Sequence, residues 1–92
     1  MIKSFRDSDT KELFEARANK RWRAISAVAL RKLDSIEAAI NLEDLRVPPG
    51  NRLEALKGDR AGQHSIRIND QYRICFEWKA DGADDVEIAD YH

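Results

Sequence analysis

The chain has 92 residues, 42% hydrophobic and 36% charged, with a net charge of −1, the mix of a soluble globular protein rather than a disordered one. A sequence this short is expected to form one domain over residues 1–92. It buries only about 60–65% of its unfolded surface, which disfavours a deep pocket around a large organic cofactor and suits a shallow surface site, so no cofactor is expected. Cys75 is the single cysteine, which excludes an internal disulfide and a cysteine-based zinc cluster and fits a reducing cytoplasm.

Met1 to Asp7 lack the apolar run of a signal peptide, and no stretch approaches the ~20 apolar residues needed to cross a bilayer. Ile2 to Phe5 reads as a short first strand. Asp7-Ser8-Asp9-Thr10 offers helix caps, with Glu12 three residues after Asp9 in a capping-box spacing, and Leu13, Phe14 and Ala16 give a short helix its apolar surface. Ala18 to Arg21 then connects to a second helix. There Trp22, Ile25, Ala29, Leu33, Ile36 and Ile40 recur every three or four residues, and Asn41 marks the end. Leu42 to Val47 adds a helical turn that Pro48-Pro49-Gly50 stops.

Beyond the prolines the apolar period becomes two. Leu53 to Lys57 is an expected strand. In the next strand His64, Ile66 and Ile68 alternate with polar residues, then Asn69-Asp70-Gln71 turns the chain. Tyr72, Ile74, Phe76 and Trp78 alternate in turn, and Val86 and Ile88 continue after the hairpin region Ala80 to Ala83. The predicted fold is α+β: two N-terminal helices on one face of a small antiparallel sheet, with the other face open to solvent. Trp22, Trp78 and His64 fall on apolar positions and are read as core; Cys75 is read as structural.

The charge is unevenly spread. Residues 17–32 hold Arg17, Lys20, Arg21, Arg23, Arg31 and Lys32 with no acid, while residues 74–92 are acidic with Lys79 the lone base. Such a basic run is either a solvated helix face or a contact for nucleic-acid phosphates. By strand parity Arg67 and Arg73 point away from the apolar side, within reach of one phosphate, and Lys57-Gly58-Asp59-Arg60 sits at the turn entering that sheet. The last strand leads into Asp90-Tyr91-His92, groups able to hold or move protons. Together they suffice for RNA cleavage: a base takes the ribose 2′-hydroxyl proton, cations stabilise the phosphorane charge, and an acid protonates the leaving 5′-oxygen. That chemistry requires Asp90 and His92 to lie beside Arg73 on the uncovered side of the sheet. No His/Asp/Glu cluster has metal-ligand spacing, and no P-loop, nucleophile elbow or dinucleotide fingerprint appears.

The ordered combination of Leu53 to Gly62, His64-Ser65-Ile66-Arg67-Ile68-Asn69, Gln71 to Trp78 and the terminal Asp90-Tyr91-His92, with the opening Met1 to Phe5, resembles the HigB-type toxins of the RelE/ParE superfamily from type II toxin–antitoxin systems. The resemblance spans the chain and implies a RelE-like, microbial-ribonuclease-like fold. It implies a cytoplasmic mRNA endoribonuclease acting on translating ribosomes, and a HigA-type helix-turn-helix antitoxin through whose complex alone operator DNA is bound. It places the catalytic set on Lys57, Arg73, Asp90, Tyr91 and His92, with Glu54 at a family catalytic position; the charge distribution adds Arg60, Arg67, Lys20, Arg21 and Arg23 for RNA or ribosome contact. Some members carry a catalytic histidine where this chain has Glu54, which implies a slower enzyme here. Two other readings compete: a ParE-like toxin that binds DNA gyrase without cleaving RNA, and an interaction module whose only ligand is its antitoxin.

Overall fold

The computed structural model describes residues 1–90, so Tyr91 and His92 lie outside the described residues. Helix α1 is Ser8–Ala16 and α2 is Ser26–Ala38; strands β1 (Glu54–Ala55), β2 (His64–Arg67), β3 (Tyr72–Lys79) and β4 (Gly82–Asp90) follow. The four strands form one antiparallel sheet in the order β1-β2-β3-β4. Leu13 of α1 and Ala29, Leu33 and Ile36 of α2 pack with Ile66, Ile74, Phe76, Ala83, Val86 and Ile88 of the sheet. The helices thus cover one face, as the apolar periods require, and Trp22, Trp78 and His64 all fall on that side.

The cap of α1 is Asp7, two residues ahead of the expected Asp9–Glu12 pair: its carboxylate accepts the Thr10 amide at 2.9 Å. Asp9 and Glu12 instead both accept from the Asn19 amide nitrogen in the connection to α2. Asn19 also explains why α2 begins at Ser26 and not at Trp22. Its side-chain oxygen accepts the backbone amides of Arg21 and Trp22, holding the chain in an Asx-type turn that competes with helix. Trp22 still fills the core, ahead of a 3-10 turn at Arg23–Ile25. At the far end α2 stops at Ala38, so Ile40 leaves the apolar stripe and is 75% exposed. Asn41 and Asp44 then cap the predicted turn, a 3-10 helix at Leu42–Arg46, in a reciprocal box.

The first segment does not form a strand of its own. It makes isolated parallel bridges, Ile2 to Ala83 and Phe5 to Val86, along the outer edge of β4, and so closes the sheet edge there. β1 is also shorter than Leu53 to Lys57, with two residues in register opposite Ser65 and His64.

β4 carries an irregularity that simple alternation does not predict. Cys75 pairs with Glu87 and Glu77 with Asp84, so Asp85 and Val86 together face Phe76. Asp85 sits at φ 53°, the left-handed region used in bulges. The extra residue shifts the parity, which lets Ala83 as well as Val86 and Ile88 face the core.

The outer sheet face is not open as expected. Ser65 and Cys75 are fully buried and Arg73 nearly so, and Cys75 packs with Leu56 and Ala89 in a second small cluster. Arg60, from the 3-10 turn Gly58–Arg60, bonds Gln63 at 3.1 Å and Glu87 at 2.6 Å, which folds that turn over the sheet.

Candidate functional site

Arg73 is the centre of the covered face. It stands on β3 with Arg67 as its register partner on β2 and Ala89 on β4. Its Nε donates to Ser65 Oγ at 2.7 Å, and Nη2 donates to the Arg52 carbonyl at 2.6 Å. Arg52 is itself left-handed at φ 47°, ψ 56°, which turns that carbonyl toward the guanidinium. The Glu54 carboxylate lies 3.5 Å from Arg73 Nη2, with its side chain 56% exposed. A fixed, largely desolvated cation thus sits beside a solvent-facing carboxylate. That pair can neutralise a phosphate and accept a proton next to it, and the low dielectric around Arg73 strengthens the first interaction.

The other expected residues divide into those the fold brings to Arg73 and those it does not. Lys57 precedes the Gly58–Arg60 turn, two residues beyond β1, so it enters from the same edge as Glu54. Gly58, at φ 64°, makes the turn possible. Arg60 reaches Glu87, the register partner of Cys75, and so occupies the neighbouring part of the same face. Burial among these groups pushes the Cys75 thiol up from its ordinary value. Arg67 shares Arg73's face by register, but its guanidinium is paired with Asp70 in the β2–β3 turn.

Asp90 departs from expectation. It is the register partner of Tyr72, one position along from the Arg73–Ala89 pair, so alternation sends its side chain to the face shared with Tyr72 and Ile88. Gln71 donates to its carboxylate at 3.1 Å. The expected placement of Asp90 on Arg73's face is therefore corrected: the two share an end of the sheet, not a side. Tyr91 and His92 lie outside the described residues.

The basic connection between the helices reaches that same end. Trp22 packs edge-on against Tyr72, the partner of Asp90, with ring centroids 5.3 Å apart, and Arg21 lies over the Trp22 ring at 4.5 Å. Lys20 and Arg23 line a shallow cleft with Glu12, Asn19 and Ser26. Other members of the basic run have internal work: Arg17 pairs with Asp34, and Lys32 bonds the buried Asn51. Among the described residues no group of three or more His, Cys, Asp or Glu side chains could hold a metal ion, and no helix is long and apolar enough to cross a membrane.

A family model for the RelE-like toxin of the type II toxin–antitoxin system HigB matches residues 3–92. The chain belongs to this HigB-like toxin family. It is 42% identical over 82 residues to Toxin HigB-1 of Vibrio cholerae, covering 85% of this chain and 84% of that one. It is 32% identical over 98 residues to Endoribonuclease HigB of Proteus vulgaris, across the full length of both. In three dimensions it resembles a chain of the YoeB–YefM complex from Staphylococcus aureus, with a TM-score of 0.62 at 16% identity, covering 100% of this chain and 98% of that one, so the RelE-like fold is shared. In this HigB-like chain the sequence pattern marked Arg73, Glu54 and Lys57 but gave no sign of Ser65, Arg52 or Glu87. Their roles arise from contacts distant in sequence; the polar parity shared by Ser65, Arg67, Arg73, Cys75 and Glu87 was the only available hint.

Proposed function

We propose that this toxin is an endoribonuclease that cleaves mRNA on translating ribosomes and so arrests protein synthesis. The observation that carries this reading is the buried Arg73 guanidinium set against the exposed Glu54 carboxylate in a HigB-family chain, one relative of which is named an endoribonuclease. The 2′-hydroxyl gives its proton to a base and attacks the adjacent phosphorus; the bond to the 5′-oxygen breaks and that oxygen takes a proton from an acid. The products carry a 2′,3′-cyclic phosphate and a 5′-hydroxyl. Glu54 and His92 exchange the protons at Arg73, Asp90 orients the terminal groups from the shared end of the sheet and not as a proton carrier beside Arg73, and Tyr91 stacks on a base. Arg73 and Lys57 stabilise the dianionic phosphorane, which needs no metal in this scheme. Lys20, Arg21, Arg23, Arg60 and Arg67 bind RNA phosphates. A HigA-type antitoxin neutralises the toxin in the cytoplasm, and operator DNA is bound only by their complex. The relatives named are HigB toxins, and gyrase inhibition of the ParE type has no comparable support.

Primer extension on mRNA from cells expressing the chain tests this. Cuts should fall inside translated frames and weaken by about 100-fold in Arg73→Ala and in His92→Ala. Uncut mRNA, or cutting unchanged in both variants, refutes the assignment.

A further inference from the structure

The geometry points to Ser65 as a positioning residue for the nuclease reaction, acting through Arg73; this rests on the function proposed above. Ser65 is fully buried in the middle of the sheet, between Glu54 on β1 and Cys75 on β3. Nothing in a strand requires a hydroxyl there. Its Oγ nevertheless accepts a hydrogen bond from Arg73 Nε–H at 2.7 Å, and its carbonyl lies 3.5 Å from Nη2. With the Arg52 carbonyl at 2.6 Å, three neutral acceptors hold one guanidinium. None of them neutralises the cation, and among the described residues the one carboxylate at ion-pair distance, Glu54, lies on the exposed side. The arrangement fixes the direction of the guanidinium while leaving its charge for a phosphate. A flexible arginine would have to surrender rotamer freedom when substrate arrives, whereas this one has already lost it on folding. The benefit falls on the chemical step, because a preorganised cation need not reorganise as charge develops on the phosphorane.

Two measurements on the full chain test the role. In single-turnover cleavage of ribosome-bound mRNA, Ser65→Ala should slow the saturated rate about tenfold with the half-saturating ribosome concentration unchanged within about twofold. In an Arg73→Lys background, which cannot use the Nε acceptor, the same substitution should have no further effect. Equal slowing in both backgrounds, or cleavage by Ser65→Ala at the wild-type rate, overturns the proposal. Separately, the Arg73 Nε–H signal in 15N-arginine spectra should exchange slowly with water in the wild type and rapidly in Ser65→Ala, with the backbone amide spectrum otherwise retained. Slow exchange in both proteins overturns the proposal even if no cleavage is seen. Wild-type protein that leaves ribosome-bound mRNA whole, with the exchange difference intact, would defeat the nuclease reading and not the cradle.

Discussion

A carboxylate serves as a base, whereas an imidazole can serve as base and as acid near neutral pH. Glu54, half in solvent and 3.5 Å from Arg73, is placed for the accepting role. Glu54→His should therefore raise the single-turnover rate of mRNA cleavage about tenfold, and Glu54→Gln should lower it by a comparable factor. Equal rates for the wild type and Glu54→His would remove Glu54 from the proton transfers. Cys75 gives a second residue-level expectation. Burial raises its thiol, so less thiolate is present at neutral pH. Alkylation should be at least about 100-fold slower in the native protein than in urea, as mass spectrometry of maleimide-treated samples would show; fast native labelling would mean that the cover over the sheet opens readily. Arg73 was legible in the sequence as a cation on the polar face of its strand. Its burial was not, nor was that of Cys75. The groups responsible, Arg52, Leu56, Arg60 and Ser65, come from a loop, a short edge strand and a turn whose folding over the sheet leaves no periodic trace.

The elements with a full apolar period were legible: β2, β3 and the Asn69 turn lie where the pattern puts them, and α2 lies inside its expected span. Boundaries failed where a side chain outcompeted the period, as Asn19 does at the start of α2 and the Asp85 bulge does in β4. The first segment was misread as a strand because alternation cannot distinguish a strand from an extended cover bridging a sheet edge. That cover makes Gly82 exacting: a Cβ there would meet the Met1 carbonyl oxygen at 2.6 Å. Gly82→Ala should cost about 1–3 kcal/mol by urea denaturation, since the obstacle is backbone and cannot swing aside. A neutral substitution would show that the segment detaches freely. The turn after α2 responds to pH. The amides of Asn41 and Ile40 hold the Asp44 carboxyl below its ordinary value. A carboxyl depressed in the folded state stabilises above its unfolded pKa, and that contribution is lost as pH falls through the folded value. Asp44→Ala should thus melt below the wild type at pH 7, and the gap should close as pH drops below about 4. A gap that stays constant across thermal melts at both pH values would contradict the capping role.

Across the molecule the charges sort into those spent internally and those left to meet a partner. Two of the four acids of β4 are engaged by bases from elsewhere: Asp84 by Lys3, and Glu87 by Arg60 and, more distantly, Arg6. The acidic C-terminal stretch in the sequence therefore does not make an equally acidic surface. The basic connection between α1 and α2 differs, because Lys20 and Arg23 border an open cleft, and Trp22 between them in sequence packs on Tyr72, the register partner of Asp90 at the end of β4. Arg73 occupies the outer sheet face and these two cations the helix side. One extended RNA strand in the Arg73 site would have to bend around the sheet end to meet both. Under the ribosome-bound reaction proposed above, the two regions would take different RNA segments, mRNA at Arg73 and ribosomal RNA at Lys20 and Arg23. That division separates binding from chemistry. The double substitution Lys20→Gln, Arg23→Gln should weaken ribosome association and reduce the slope of log affinity against log salt by about one per cation, while cleavage at saturating ribosomes keeps its rate. Arg73→Ala should show the opposite pattern, with affinity and salt slope nearly intact and the saturated rate collapsed. Filter binding across a salt series, paired with single-turnover cleavage, resolves the two. If the double variant retains the full slope, the helix side does not face RNA, and Lys20 and Arg23 are solvated surface.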